Sequence, residues 1–233
     1  MIWKRREVFL RKRFPALVVC SEADREYFGA DDQIYVAPNG YGDGKIEKVR
    51  NPVSPPRIGF IGTLNYPPNA DGVTWFVNQV WPKIKERQPD ARLRLVGADS
   101  EGRMQAHGAD IDRLGFVDDA AEEIGSWSVS IVPLRIGGGT RIKIAEAFGR
   151  MCPVVSTSLG AFGYEVSSGK ELMLADDPEA FADACCSLIK NPDQAEKMAQ
   201  EAADQYLAKW TWPAIASNVE RALQCCLRRS GKT

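Results

Sequence analysis

Residues 128–156 read SVSIVPLRIGGGTRIKIAEAFGRMCPVVS and hold a complete structural unit. Ser128–Val132 is a β-branched run that predicts a strand. Gly137-Gly138-Gly139 follows it, an apolar-patterned helix starts near Thr140, and Pro153–Ser156 is the next strand-like run. Strand, glycine loop, helix and strand make a βαβ unit, whose second strand returns parallel to the first.

The pattern extends outward. Strands are expected at Ile58–Ile61, Leu93–Val96 and Ile111–Leu114, near Leu172–Leu174, and upstream at Leu17–Cys20 and Ile34–Ala37. Val73, Phe76, Val77 and Val80 fall at helical spacing and predict a helix over Asn69–Lys85. Ser21 with Asp24, and Asp118-Asp119, read as helix caps. Residues 178–190, 193–209 and 213–227 are helical in pattern. Residues 41–56, with Gly42, Gly44 and three prolines but no apolar periodicity, read as an interdomain linker. The expected fold is α/β: a Rossmann-like parallel sheet flanked by helices, with a helical C-terminal tail.

Composition removes several functions. Lys and Arg number 30 against 31 Asp and Glu, which lacks the basic surplus of a nucleic-acid binder. The single histidine, His107, lies in a polar segment and reads as solvated, so His-based metal clusters and Ser-His or Cys-His catalysis are not indicated. Six cysteines without a C-x-x-C pattern indicate neither a zinc site nor a disulfide framework, and point to small buried residues in a reducing, cytoplasmic compartment. The tryptophans read as core or interdomain packing. Asp110-Ile111-Asp112, at the start of an expected strand, reads as solvated surface rather than a ligand site. No apolar run approaches a membrane span. The basic start, with Ile2, Trp3, Phe9 and Leu10 among its cations, fits either peripheral contact with the inner membrane or an exposed helix of a larger domain.

The chemistry gathers after the strands. Gly62, Gly97 and Gly137–Gly139 each follow a strand, where backbone comes close to ligands in open parallel sheets. A tight βα turn is the simpler account of any one of them, and the set together favours the ligand. Beyond Thr140 the helix N-terminus favours an anion, and Arg141 and Lys143 in the first turn are cations at the unfavourable end unless an anion answers them. Arg135 stands on the strand side of the loop. A flexible loop before a solvated basic turn is the competing reading. Neither G-x-G-x-x-G nor a P-loop is present; Gly231-Lys232-Thr233 has no helix after it. Glu146, between two alanines, could accept both hydroxyls of a ribose or form a salt bridge to Arg150 or Lys143.

These segments resemble the donor site of the family 4 glycosyltransferases, retaining enzymes of the GT-B fold. The likeness runs through Val132–Thr157, Phe60-Ile61-Gly62-Thr63-Leu64 and Gly115-Phe116-Val117-Asp118, and upstream through Val19-Cys20-Ser21-Glu22 and Pro38-Asn39-Gly40. The resemblance implies a hexosyltransferase-type enzyme of polysaccharide biosynthesis. It implies a nucleotide-diphosphate-sugar donor, held by the C-terminal of two Rossmann-like domains, with no metal or other cofactor. Glu146 matches the second Glu of the family's E-x7-E motif, which holds the donor ribose. Gly62 and Thr63 match the loop beside the diphosphate, Phe116 and Val117 the segment flanking the nucleobase, and Gly138, Gly139 and Thr140 the loop meeting donor sugar and phosphate. Departures are Gly138 where the first Glu usually stands, and Thr63 and Pro68-Asn69 where many members carry Arg and Lys. The positive charge would then come from Arg141 and Lys143 as catalytic residues, with Arg135 as a further donor contact.

By the same resemblance, residues 1–40 are expected to be a remnant of the N-terminal acceptor domain, 41–56 the linker, 57–210 the donor domain, and 211–233 the crossover helix and tail. The acceptor, a glycan or lipid-linked saccharide, would be met by the complete enzyme. The uncovered interdomain face would promote self-association. A non-catalytic nucleotide-sugar-binding module and a GT-B-fold nucleotide-sugar epimerase are the alternatives.

Overall fold

The computed structural model describes residues 2–29, 31–46, 50–99, 102 and 108–229. Six strands form one parallel sheet in the order β5-β4-β3-β6-β7-β8. They are β3 (Arg57–Ile61), β4 (Arg92–Val96), β5 (Ile111–Gly115), β6 (Val129–Val132), β7 (Val154–Ser156) and β8 (Met173–Leu174). β1 (Leu17–Val19) and β2 (Ile34–Val36) pair in a separate two-stranded parallel sheet.

Successive side chains leave a strand on opposite faces, so each strand feeds two cores. Ile58 and Phe60 of β3 and Ile131 of β6 pack on one face, with Val73 of α3 (Pro67–Trp75), Ile84 of α4 (Trp81–Arg87) and Phe181 of α7 (Pro178–Lys190). Val96 and Val132 pack on the other, with Phe148 of α6 (Ile142–Gly149) and Tyr206 of α8 (Pro192–Lys209). Gly59 takes the buried Trp127 indole against its backbone: a Cβ there would stand 1.9 Å from the ring. Trp127 cannot easily shift, because its Nε1 donates to Glu123 Oε1 at 2.8 Å. Gly59→Ala is expected to cost about 3 kcal/mol, measured as a lowered urea midpoint. An unchanged midpoint would show that the indole slides aside.

Strand positions agree with expectation within one or two residues, and α7, α8 and α9 (Trp212–Arg229) follow the helical pattern of the tail. Two helices differ. In place of one helix over Asn69–Lys85 the chain forms α3, a π-helical turn over Phe76–Val80, and α4. Trp81 N–H reaches Phe76 O, five residues back. Pro82 has no N–H, and its ring would strike the Asn78 carbonyl in an unbroken α-helix; the wider turn accommodates it. α6 starts at Ile142 rather than near Thr140, because Arg141 is extended (φ −97°, ψ 101°). The Tyr164 hydroxyl holds that conformation by donating to Arg141 O at 2.8 Å.

Some surface expectations also change. Asp110 and Asp112 are engaged rather than free in solvent. Asp110 accepts from Trp81 Nε1 at 2.9 Å, and Asp112 pairs with Arg92 and Arg94. Those cations hold the Asp112 carboxyl below the usual carboxylate range. Trp75, Trp81, Trp127 and Trp210 are buried, but Trp212 is 58% exposed. Cys152, Cys185 and Cys186 are buried; Cys20, Cys225 and Cys226 are partly exposed, and all six are free thiols. The Trp3 side chain, His107 and Gly231-Lys232-Thr233 lie outside the described residues. The basic start forms α1 (Ile2–Arg13), with Phe9 and Leu10 exposed. No described helix is long and apolar enough to cross a membrane.

The small sheet is tied to the large unit by α9 and by the segment that joins the two. α9 returns to it, Asn218 Nδ2 donating to Val36 O at 2.9 Å. Within 41–56, Tyr41 N–H bonds Trp210 O and Asn51 N–H bonds Gly125 O, both at 2.9 Å. In the large sheet β3 is followed by β4 on one side, while β6 lies on its other side. The winding direction therefore reverses between β3 and β6, and the carboxyl ends of these strands are the topological switch point, where open parallel sheets form a ligand crevice.

Candidate functional site

The loops after β3, β4 and β5 descend like steps along the carboxyl edge. Gly62 N–H bonds Val96 O at 2.9 Å, and Gly97 N–H bonds Gly115 O at 2.7 Å. Gly62 and Gly97 have φ of +147° and +132°, in the region glycine favours. A Cβ on Gly97 would stand 2.2 Å from Gly62 O, so the two turns touch backbone to backbone. Thr63 closes the step, its hydroxyl donating to Ala98 O at 3.2 Å. Phe116, after β5, is 85% exposed, while Val117 packs against the core.

Across the crevice lies the loop after β6. Gly137 and Gly139 have φ of +106° and +76°, and a Cβ on Gly138 or Gly139 would meet nothing within 4 Å. Arg141 closes this loop and is 8% exposed. Its Nη1 donates to Gly138 O, whereas Nε and Nη2 are buried with no partner among the described residues. Burial lowers its pKa. A buried guanidinium with two unanswered N–H groups is costly unless an anion completes it.

Lys143 enters from α6 and passes under the β3 turn. Its Nζ lies 2.8 Å from the place a Cβ on Gly62 would take, and 3.9 Å from the Phe60 ring centroid. It donates to Asn69 Oδ1 at 3.0 Å. Burial, then the neighbouring Arg141 charge, lowers its pKa to about 7, against a smaller opposing pull from Glu146. Arg141 and Lys143 thus converge on the crevice, each short of counter-charge.

Glu146 lies one turn further along α6, and its carboxylate is 14% exposed. Tyr41 OH donates to its Oε1 at 2.9 Å, and Arg150 Nη2 donates to the Tyr41 oxygen at 2.6 Å. Arg150 also stands 3.6 Å from Glu146 Oε1. Burial, then the Glu146 charge, raises the Tyr41 pKa. The ion pair with Arg150 allowed by helical spacing therefore exists, but inside the protein and shared with a tyrosine.

Arg135 does not join the other cations. Its guanidinium bonds Asp71 at 2.9 and 3.2 Å and lies 5.7 Å from the Trp75 ring centroid, with its charge answered. Three residues not expected as site residues do join the site: Asn69 and Asn39, which entered the resemblance only through Pro68-Asn69 and Pro38-Asn39-Gly40, and Tyr41, which carried no signal. Asn39 Nδ2 donates to Thr140 Oγ1 at 3.0 Å and lies 3.4 Å from Thr140 O, which anchors the glycine loop to the small unit. Among the described residues no group of His, Cys, Asp or Glu is arranged to hold a metal ion.

The family model described as "Glycosyl transferases group 1" matches residues 55–191. The chain is 27% identical over 142 residues to an uncharacterized 44.6 kDa protein in the cps region of Klebsiella pneumoniae, covering 57% of this chain and 37% of that protein. It is 28% identical over 190 residues to a D-inositol 3-phosphate glycosyltransferase of Corynebacterium urealyticum, covering 72% and 42%. The chain therefore spans about two fifths of the length of these curated relatives. In fold it is similar to Anabaena Alr3699/HepE in complex with UDP, at 16% identity and a TM-score of 0.75, over 90% of this chain and 64% of that one.

Proposed function

The chain belongs to the group 1 glycosyl transferases, and from that premise we propose that its crevice binds the nucleotide-diphosphate-sugar donor of a retaining glycosyl transfer. The observation that carries the reading is the convergence of Arg141 and Lys143 on the switch-point crevice, with two buried guanidinium N–H groups unpartnered. A diphosphate supplies the oxygens both cations lack. As the bond between sugar and diphosphate breaks, negative charge grows on the departing phosphate, and these cations stabilise it without a metal. Glu146 accepts from the ribose hydroxyls, Gly62 and Thr63 border the diphosphate, and Gly138, Gly139 and Thr140 face the sugar and phosphate. Phe116 and Val117 flank the base. UDP in the Anabaena neighbour supports this kind of ligand.

Transfer also needs an acceptor, a glycan or lipid-linked saccharide in this reading. We assign its recognition to a second Rossmann-like domain, in keeping with the share of the relatives that the chain spans. Binding without turnover is the second reading, favoured by Gly138, which offers the donor sugar no carboxylate. Calorimetric titration of UDP, GDP, ADP and their sugars against wild type and Glu146→Ala tests the assignment. One nucleotide series is expected to bind, and the variant to lose about tenfold in affinity. Absence of any binding, or equal affinity of the variant, would overturn it. Turnover that appears only when a two-domain version is supplied distinguishes an incomplete catalyst from a binding module.

A further inference from the structure

We propose that Asn69 is a positioning residue for the diphosphate, holding the Lys143 ammonium under the Gly62 turn through a neutral oxygen that leaves its charge available to the ligand. The inference rests on the reading that the crevice takes a nucleoside diphosphate.

Asn69 is the third residue of α3 and is 7% exposed. Its two amide atoms have different tasks. Nδ2 donates to Thr63 O at 2.8 Å, in the loop after β3, and Oδ1 accepts from Lys143 Nζ at 3.0 Å, on α6. Rotating the amide by half a turn would set NH2 against the ammonium and oxygen against the Thr63 carbonyl, so the orientation is unique. One side chain thereby joins the two walls of the crevice and fixes how far the lysine reaches. Gly62 completes the confinement, since a Cβ there would stand 2.8 Å from Nζ and 2.9 Å from Asn69 Nδ2.

The charge balance explains why the residue is an amide. The charged groups bearing on Lys143 are Arg141, of the same sign, and Glu146. Glu146 is already engaged by Tyr41 and Arg150. The other neighbours, Asn69 and the Phe60 ring, carry no charge. An aspartate at position 69 would have nearly the same shape but would neutralise the ammonium before any ligand arrived. The amide orients the cation and leaves it uncompensated. A cation held near neutrality by burial and by Arg141 takes up a proton when a diphosphate binds beside it, so binding and protonation are linked.

The test titrates inorganic pyrophosphate, UDP and uridine into wild type, Asn69→Asp and Asn69→Ala. Calorimetry is run in buffers of differing ionisation enthalpy between about pH 6 and about pH 9. GDP or ADP with its nucleoside replaces UDP if it binds better. For wild type, diphosphate affinity is expected to fall as pH rises above about 7, with net proton uptake. Asn69→Asp is expected to lose about tenfold or more at the acid end, to flatten that pH dependence, and to bind uridine as wild type does. Asn69→Ala is expected to weaken pyrophosphate and UDP while keeping the proton uptake. It carries the test if the aspartate variant does not fold. Equal weakening of uridine and UDP in either variant, or an unaltered pH limb and proton uptake in Asn69→Asp, would overturn the proposal. Failure of wild type to bind any of the diphosphates would instead sink the donor-site reading beneath it.

Discussion

Lys143→Met is expected to make the ligand-free protein more stable while weakening nucleoside diphosphate binding by about 100-fold. The ammonium is desolvated, stands near Arg141 with a smaller opposing pull from Glu146, and among the described residues contacts the Asn69 amide and the Phe60 ring. Methionine fills a similar volume against Phe60 without a charge to desolvate, and the gain at neutral pH should be about 4 kcal/mol. The sign follows from the titration. In the folded protein the amine titrates at about 7, and in the unfolded chain at about 10.4. Between those values folding expels a proton, so this group makes wild-type stability rise with pH across that window. The advantage of the variant is therefore full at and below about pH 7 and disappears above about pH 10. Denaturant unfolding at the two ends of the window, paired with nucleotide titration, measures both halves. A variant destabilised at pH 6 would show that the amine is better solvated than its surroundings suggest.

Gly97→Ala should damage fold and site together. The residue needs a φ of +132°, and a Cβ would stand 2.2 Å from Gly62 O and 3.1 Å from Thr63 N. These are backbone atoms, so no side chain can rotate out of the way. The expected cost is about 3 kcal/mol, part strain and part displacement. Relief is available only by moving the Gly62 turn, which sits over Lys143. Nucleotide affinity should thus fall even where the variant remains folded, read by calorimetry beside a thermal melt. Gly169→Ala, whose φ is +86° and whose Cβ would meet no atom of the described residues within 4 Å, is the control for positive φ without the backbone clash. Retention of wild-type affinity in folded Gly97→Ala would separate the turn's shape from binding.

The parts of the site that were legible in the sequence are those where local chemistry is restrictive. Gly62 and Gly97 lie where two turns touch through backbone, and only glycine fits. Arg141 and Lys143 stood out as cations at a helix N-terminus, which intrinsic propensity disfavours. The βαβ order was readable because strand and helix periodicities differ. What escaped was decided at long range. Asn69, Asn39 and Tyr41 meet their partners across 74, 101 and 105 residues, and nothing in their immediate neighbours encodes that. Arg135 matched its two basic neighbours in type, yet Asp71, 64 residues away, takes its charge. The π-helical turn was hidden because Val73, Phe76 and Val80 keep a helical rhythm through it, and only Pro82 hints at a break.

The hydrogen bonds from Asn39 to Thr140 and from Tyr41 to Glu146 bear on how such a molecule can be recombined. A chimaera joined at residue 57 would inherit every strand of the large sheet and both crevice cations. It would leave Thr140 and Glu146 to whatever the new partner placed beside them. The workable seam lies upstream of Asn39, so that the short strip 39–41 travels with the sheet it serves.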